Sequence, residues 1–426
     1  MPFLFILSFI LLLLIACNNK SRVHAQYQFS VIFIFVNYVY LLVNAIDLNA
    51  KSYPTYFVYT LISFIYFMIV LIIIRSNLFQ SLSEIRVFSK LEHIIDVLTK
   101  DRKLIFFYFL MYISSLFLRT WMSYGESVEY RLVTSGSEQI LATLPSLLLL
   151  SASPYLLVIA VVRARLFAFL PLVVLTSLIS TISGSRSAII IMLFTIYYAL
   201  YTFHRIKIDI KYLVISIISF AMVIITVGHS RSGATAYENI VLFWKFIQNF
   251  KFENYNILGI GEFYWPAHSI VSVIEELPTD ILLLSKELCI FVPKFIWADR
   301  PLPAAESYMN ILYNDLFISG HGYGFNNAAF GYWWGGYSGL LLYGLISGCF
   351  FKIIQRIIVS YKFLGTFLFA TFFFNIFHFS RGVSVIGLFK NAILLELVPI
   401  LFNLAFLYVI YTVLKVNSHK TVVHSS

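Results

Sequence analysis

Long apolar runs recur along this sequence, and one of them, residues 54–75, carries no charged side chain before Arg75. A hydrocarbon core roughly 30 Å thick takes about 20 apolar residues per helix, and lipid offers the backbone no hydrogen-bond partners. Runs of this kind are therefore read as membrane-spanning helices, and they lack the period-two alternation of a β-barrel. Spans are placed near 3–17, 28–48, 54–75, 104–120, 139–162, 166–182, 187–203, 211–228, 334–351, 363–380 and 394–414. The expectation is an all-α integral membrane protein of about eleven transmembrane helices, within a range of about ten to twelve. Composition agrees: a chain that is 60% hydrophobic and 12% charged cannot hide its apolar surface in a water-soluble core.

Basic residues set the orientation, because they avoid short translocated loops. One side gathers Lys20, Arg22, Arg75, Arg86, Lys90, Lys100, Arg102, Lys103, Arg163, Arg165, Arg205, Lys207, Lys211, Lys352, Arg356, Lys362, Lys415 and Lys420, most of the 30 lysines and arginines, and is taken as cytoplasmic. The net charge of +10 then reflects topology and attraction to anionic membrane lipid, not a nucleic-acid partner. Leu14-Ile15-Ala16-Cys17 has the form of a lipoprotein cleavage site, but no basic residue precedes the apolar run, so residues 3–17 are expected to stay as a first helix. Cys17, Cys289 and Cys349 each sit in or beside an apolar stretch, indicating neither a disulfide framework nor a thiolate metal site; no metal or cofactor is expected. Segment 76–103 reads as an amphipathic helix on the inner surface.

Three stretches follow: N-terminal transmembrane helices over 1–228, a large outward loop over 229–332, and C-terminal transmembrane helices over 333–426. The loop is rich in aromatics, among them Trp244, Trp265, Trp297, Tyr308, Tyr313 and Tyr323, which a disordered segment would lack. Short helices lying on the membrane are expected in it, including the apolar stretch from Ile281 to Trp297, interrupted by Lys286, Glu287 and Pro293.

Four arginines mark the outer face: Arg186 in Ser183-Gly184-Ser185-Arg186-Ser187, Arg231 in Ser230-Arg231-Ser232-Gly233, Arg300 in Asp299-Arg300-Pro301, and Arg381 in Ser380-Arg381-Gly382. Guanidinium forks in small-residue turns suit phosphate, and several converging on one cavity would hold a pyrophosphate. Any one of them alone also suits snorkelling to lipid headgroups. His321, set among glycines in Gly320-His321-Gly322, is the first candidate general base, Glu262 the second, and His268 a weaker one. Trp265, Tyr323 and Trp333 are candidates for stacking on sugar rings, although Trp and Tyr also serve as plain interfacial anchors.

The turn Ser183-Gly184-Ser185-Arg186 entering a helix, Val292-Pro293-Lys294 and Trp297 ahead of Arg300-Pro301, and Gly331-Tyr332-Trp333-Trp334-Gly335-Gly336-Tyr337-Ser338-Gly339-Leu340 resemble the bacterial O-antigen polymerases of the Wzy type, with the likeness spanning most of the chain. The resemblance implies a metal-independent membrane glycosyltransferase of the multi-helix, GT-C-like class, acting in lipopolysaccharide biosynthesis at the periplasmic face of the inner membrane. Its substrates would be undecaprenyl-pyrophosphate-linked oligosaccharides, the growing glycan passing from its lipid pyrophosphate to a new lipid-linked repeat unit. A chain-length regulator is implied as a protein partner. The family's outer arginines carry over onto Arg186, Arg231 and Arg300. Two alternatives remain: an O-antigen ligase, which usually has Asn or Ser after its loop histidine where this chain has Gly322, and a lipid-linked oligosaccharide flippase, which usually has short loops and charges inside its helices, as Lys390 and Glu396 would be here.

Overall fold

A computed structural model describes residues 2–17, 30, 33–34, 37–38, 41, 53–79, 81, 86–100, 104, 106–110, 112–114, 153–164, 186–204, 241, 245, 261–292, 296–318, 324–391 and 398–423. These are mostly helical, with no strand among them, so the fold is all-α. The helices are α1 (Pro2–Cys17), α2 (Tyr53–Arg75), α3 (Arg86–Lys100), α4 (Ser153–Ala164), α5 (Arg186–His204), α6 (Gly261–Glu275), α7 (Leu283–Leu288), α8 (Ala304–Leu312), α9 (Asn314–Ile318), α10 (Asn327–Ser360), α11 (Lys362–Arg381), α12 (Val385–Asn391) and α13 (Val398–Val423). Two stretches among the described residues, Thr55–Arg75 and Asn327–Ser360, are long and apolar enough to cross a membrane. The expected spans at 166–182 and 211–228 lie outside the described residues.

The chain divides into two compact units, one of residues 1–83, 251–359 and 374–390, the other of 84–250, 360–373 and 391–426. In the first, α2 and α10 approach closely because Gly344 and Gly348 present no side chain. A Cβ on Gly344 would lie 3.3 Å from Ile69, and one on Gly348 only 2.7 Å from Ile73. Glycines four apart meeting isoleucines four apart form the small-residue seam by which helices associate without help from water. Beside it, the Tyr66 and Ser347 hydroxyls share a buried hydrogen bond of 2.8 Å, and Ser347 also donates to Tyr343 O. Aromatic rings fill the remaining space, with Phe351 4.8 Å from Phe33 and 4.9 Å from Phe379 between centroids.

In the second unit, α3 buries Leu91, Ile95, Leu98 and Thr99, a single helical face. This is the helix expected within 76–103. Both carboxylate oxygens of its Glu92 accept from the first amides of α11, Phe363 N at 2.8 Å and Leu364 N at 3.0 Å, satisfying donors that a helix start leaves orphaned. Asp96 pairs with Arg163 at 3.0 Å and Lys100 at 2.6 Å. Burial pushes the Asp96 carboxyl up, but bonds and charge from these two cations outweigh it and hold it below the usual aspartate range. The Arg163 guanidinium also lies over the Phe363 ring, 5.0 Å from its centroid.

The long helix α10 is broken at Gly335 and Gly336. Gly336 has φ +60°, a conformation in which a side chain would be strained. Hydropathy places the start of this span at 334, whereas the helix begins at Asn327, since Asn326 Oδ1 accepts from Ala328 N at 2.8 Å and caps its first turn.

The α2–α10 seam predicts that Gly348→Leu lowers the melting temperature of the detergent-purified protein, overpacking of this kind costing about 1–3 kcal/mol. An unchanged melting curve would show that the two helices are not pressed together there.

Candidate functional site

The described part of the segment expected as the outer loop is a packed assembly fastened to the head of α10. Trp333 Nε1 donates to Pro278 O and Trp334 Nε1 to Ile281 O, each at 3.0 Å, while Asp280 N donates to Trp333 O at 2.9 Å. Asp280 also pairs with Lys286 at 2.5 Å. These bonds fix the entry to α7, and a short turn at Cys289–Phe291 follows.

Arg300 closes that turn. Its Nη1 donates to Val292 O at 2.7 Å and Ile290 O at 2.9 Å. A guanidinium bonded to carbonyls at a helical C-terminus satisfies acceptors that would otherwise be orphaned. One side of this candidate phosphate ligand is thus committed to the backbone, while its Nε–H is buried and has no acceptor among the described residues.

Glu287 is the buried carboxylate of the assembly, 4% exposed. Its Oε2 accepts from Ala304 N at 2.8 Å, at the start of α8, and its Oε1 accepts a short hydrogen bond from the Ser384 hydroxyl. Burial raises its pKa above the usual glutamate range, the two hydrogen bonds offsetting this in part, and the Glu306 charge pushes it further up. Ser384 follows the turn after α11, where Asn327 Nδ2 donates to Phe379 O at 2.8 Å and Val383 O at 3.1 Å. Gly382 in this turn has φ +119°, and a Cβ there would lie 2.3 Å from the Phe325 backbone, so only glycine permits the approach.

A second cluster forms around α6. His268 Nε2 is 3.1 Å from the Tyr313 hydroxyl, and the Trp265 ring meets both edge-on, at 5.7 Å from His268 and 5.3 Å from Tyr313. Tyr308 continues the cluster, 5.8 Å from Tyr313 and 5.0 Å from Phe325. Trp265, His268 and Tyr313 are half-buried.

The expected site residues are placed as follows. Arg231, His321 and Tyr323 lie outside the described residues. Arg186 opens α5, Glu262 lies in the first turn of α6 and Arg381 ends α11, while their side chains fall outside what is described. Arg300 and Trp265 are partly accessible, and Trp333 is 3% exposed, packed 5.9 Å from the Phe325 ring. Among the described residues no group of three His, Cys, Asp or Glu is gathered for a metal ion. The sequence reading did not single out Ser384 or the Asn327 clamp. It noted Glu287 only as an interruption in an apolar stretch, and that isolated acid was the one signal of a buried polar contact. Comparison of the chain with models of known protein families, with curated proteins and with solved structures finds no match.

The raised pKa of Glu287 gives a pH prediction. A native carboxyl that holds its proton more tightly than the unfolded chain favours folding below the ordinary glutamate range and loses that contribution as pH rises through its own elevated pKa. Melting temperature should therefore fall across this window more steeply in the wild type than in Glu287→Gln. Parallel profiles for the two proteins would show that burial does not raise the carboxyl's pKa.

Proposed function

We propose that this chain is a polymerase of lipid-linked oligosaccharide repeat units, of the O-antigen polymerase kind. It would span the bacterial inner membrane with about eleven helices, with the assembly of α6 to α9 facing the periplasm. The observation that most supports this reading is that assembly itself. In the stretch between apolar helices, where a transporter would keep short polar loops, this chain holds an aromatic cluster around the His268–Tyr313 pair, a turn closed by Arg300, and residues 278–281 bonded to the head of α10. Two long apolar helices among the described residues agree with a membrane setting.

In this reading the donor is a glycan on undecaprenyl pyrophosphate and the acceptor a sugar hydroxyl of a new lipid-linked repeat. A base takes the proton of the acceptor hydroxyl, whose oxygen attacks the anomeric carbon as the bond to the pyrophosphate oxygen breaks. Negative charge gathers on the departing pyrophosphate, and the role assigned to Arg186, Arg231, Arg300 and Arg381 is to bind that charge more tightly as it develops. His321 is the proposed base and Glu262 its substitute. Trp265 and Tyr323 are assigned to the sugar rings, Trp265 being partly accessible, whereas the buried Trp333 is left a post of the assembly. A chain-length regulator is the proposed protein partner.

Deletion of the gene in its own host tests the reading on a lipopolysaccharide gel. The ladder should collapse to core plus a single repeat; loss of every attached repeat would indicate a ligase or a flippase instead, and an intact ladder would discard the proposal. Arg186→Ala and Arg231→Ala, each made at wild-type level, should shorten the ladder severely, removal of one charge-stabilising donor costing about 10²–10³-fold in rate.

A further inference from the structure

Helix α3 turns its acids one way and a row of cations the other. Glu92 accepts from the first amides of α11, and Asp96 pairs with Arg163 in the last turn of α4. The Arg163 guanidinium lies over the rings of Phe203, in the last turn of α5, and Phe363, in the first turn of α11, and the two ring centroids are 5.1 Å apart. Phe88 of α3 meets the Tyr361 ring edge-on at 5.7 Å. Three helix ends are therefore gathered under α3, which also packs on α13.

Residues four and seven apart share a helix face. Arg86, Lys90 and His93 are thereby lined up, all three are exposed, and none makes an ion pair or hydrogen bond among the described residues. Lys90 and Glu92 stand about 200° apart around the axis, so the acids cannot serve the row. Like charges one turn apart, as Arg86 and Lys90 are, also work against the helix that carries them. Beside the row Val87 is 69% exposed and Ile94 is half-buried. The apolar face that the sequence would offer to a membrane, Leu91, Ile95 and Leu98, is buried within the protein. It cannot insert into lipid, and what α3 still presents is a row of cations with an aliphatic edge.

We propose that the Arg86–Lys90–His93 row of α3 docks on anionic phospholipid headgroups of the inner leaflet, held there by charge and not by insertion. A lipid phosphodiester takes the Arg86 fork and the Lys90 ammonium, and Val87 and Ile94 meet the glycerol and upper acyl atoms beside it. A bilayer surface answers both the cations and their aliphatic edge, and anionic lipid draws cations that lie near it. With this segment on the inner surface, the three helix ends beneath α3 bring the row to that level. Lipid bound there steadies the bonds of Glu92 to α11 and of Asp96 to α4. The docking holds whether or not the chain polymerises glycans.

Melting of the full-length protein in nanodiscs of phosphatidylcholine alone, and of phosphatidylcholine mixed with phosphatidylglycerol, tests the docking. The wild type should melt higher in the mixed discs, and the increment should shrink as salt is raised, because exposed charges are screened. Arg86→Gln combined with Lys90→Gln should lose most of the increment, and Arg86→Lys combined with Lys90→Arg should keep it. All three proteins should melt alike in phosphatidylcholine alone, since both side chains are exposed. Lys90→Gln by itself makes the comparison should the double change lower that baseline. An equal increment in the wild type and the glutamine variants, or one that salt leaves unchanged, overturns docking by charge. No increment in the wild type overturns it as well and leaves the row to a soluble acidic partner.

Discussion

The close approach of α2 and α10 is the contact on which the rest of the first unit depends. Both helices are long and apolar enough to cross a membrane, and between helices in such a setting water gives no drive to associate, so packing and buried hydrogen bonds would supply the affinity. Gly344 and Gly348 admit Ile69 and Ile73, and the Tyr66–Ser347 hydroxyl pair sits beside them, where an unpaired partner would be costly. Once α10 is fixed, its broken head is fixed too. Trp333 and Trp334, just before the break at Gly335 and Gly336, then serve as posts for residues 278–281. Local backbone chemistry at two glycines thus decides where the α6–α9 assembly is tied.

Helices that depend on a long apolar run were legible in the sequence. The spans read at 54–75, 187–203 and 363–380 appear as Tyr53–Arg75, Arg186–His204 and Lys362–Arg381, with ends shifted by a residue or so. Hydropathy alone carries that signal, because the run is both the helix and the reason for burial. Helices whose ends rest on a specific polar group were not legible in the same way. Asn327 begins α10 because Asn326 caps it, and a hydropathy window passes over two asparagines in a row. The start of α11 is satisfied by Glu92, a residue distant in sequence, which no local pattern could indicate.

The candidate site was legible as a set of residue types and illegible as a set of pairs. Arg300 followed by Pro301 announces a cation in a turn, but not that its Nη1 would close the Ile290–Val292 carbonyls while its Nε stays without a described acceptor. Lys286 and Glu287 stand out in an apolar stretch as residues in need of partners. The partners, Asp280 for one and Ser384 with Ala304 N for the other, follow only from the fold. His268 read as the weakest base candidate because nothing in its immediate sequence would orient it, and the residue that does, Tyr313, arrives from α8's far end.

Glu287 shows why such hidden pairs matter to the arrangement of cations. Burying a carboxylate costs several kcal/mol in desolvation, roughly, unless hydrogen bonds replace the lost water. Here the two replacements come from different segments: Ala304 N lies four residues after Arg300, and the Ser384 hydroxyl three residues after Arg381. Each segment therefore gains only when the other is also in place, because a carboxylate with one oxygen unsatisfied is worse than one left in water. Asn327 holds the Arg381 turn from the opposite side through Phe379 O and Val383 O, and Tyr343 ties Asn327 in turn with a 2.8 Å bond. Two arginine-bearing turns from distant parts of the sequence are thereby referred to one buried acid and, through Asn327 and Tyr343, to α10 itself. Under the proposed function, tying the Arg300 turn to a long apolar helix is what would keep it preorganised for an anion whose charge develops only as its bond breaks.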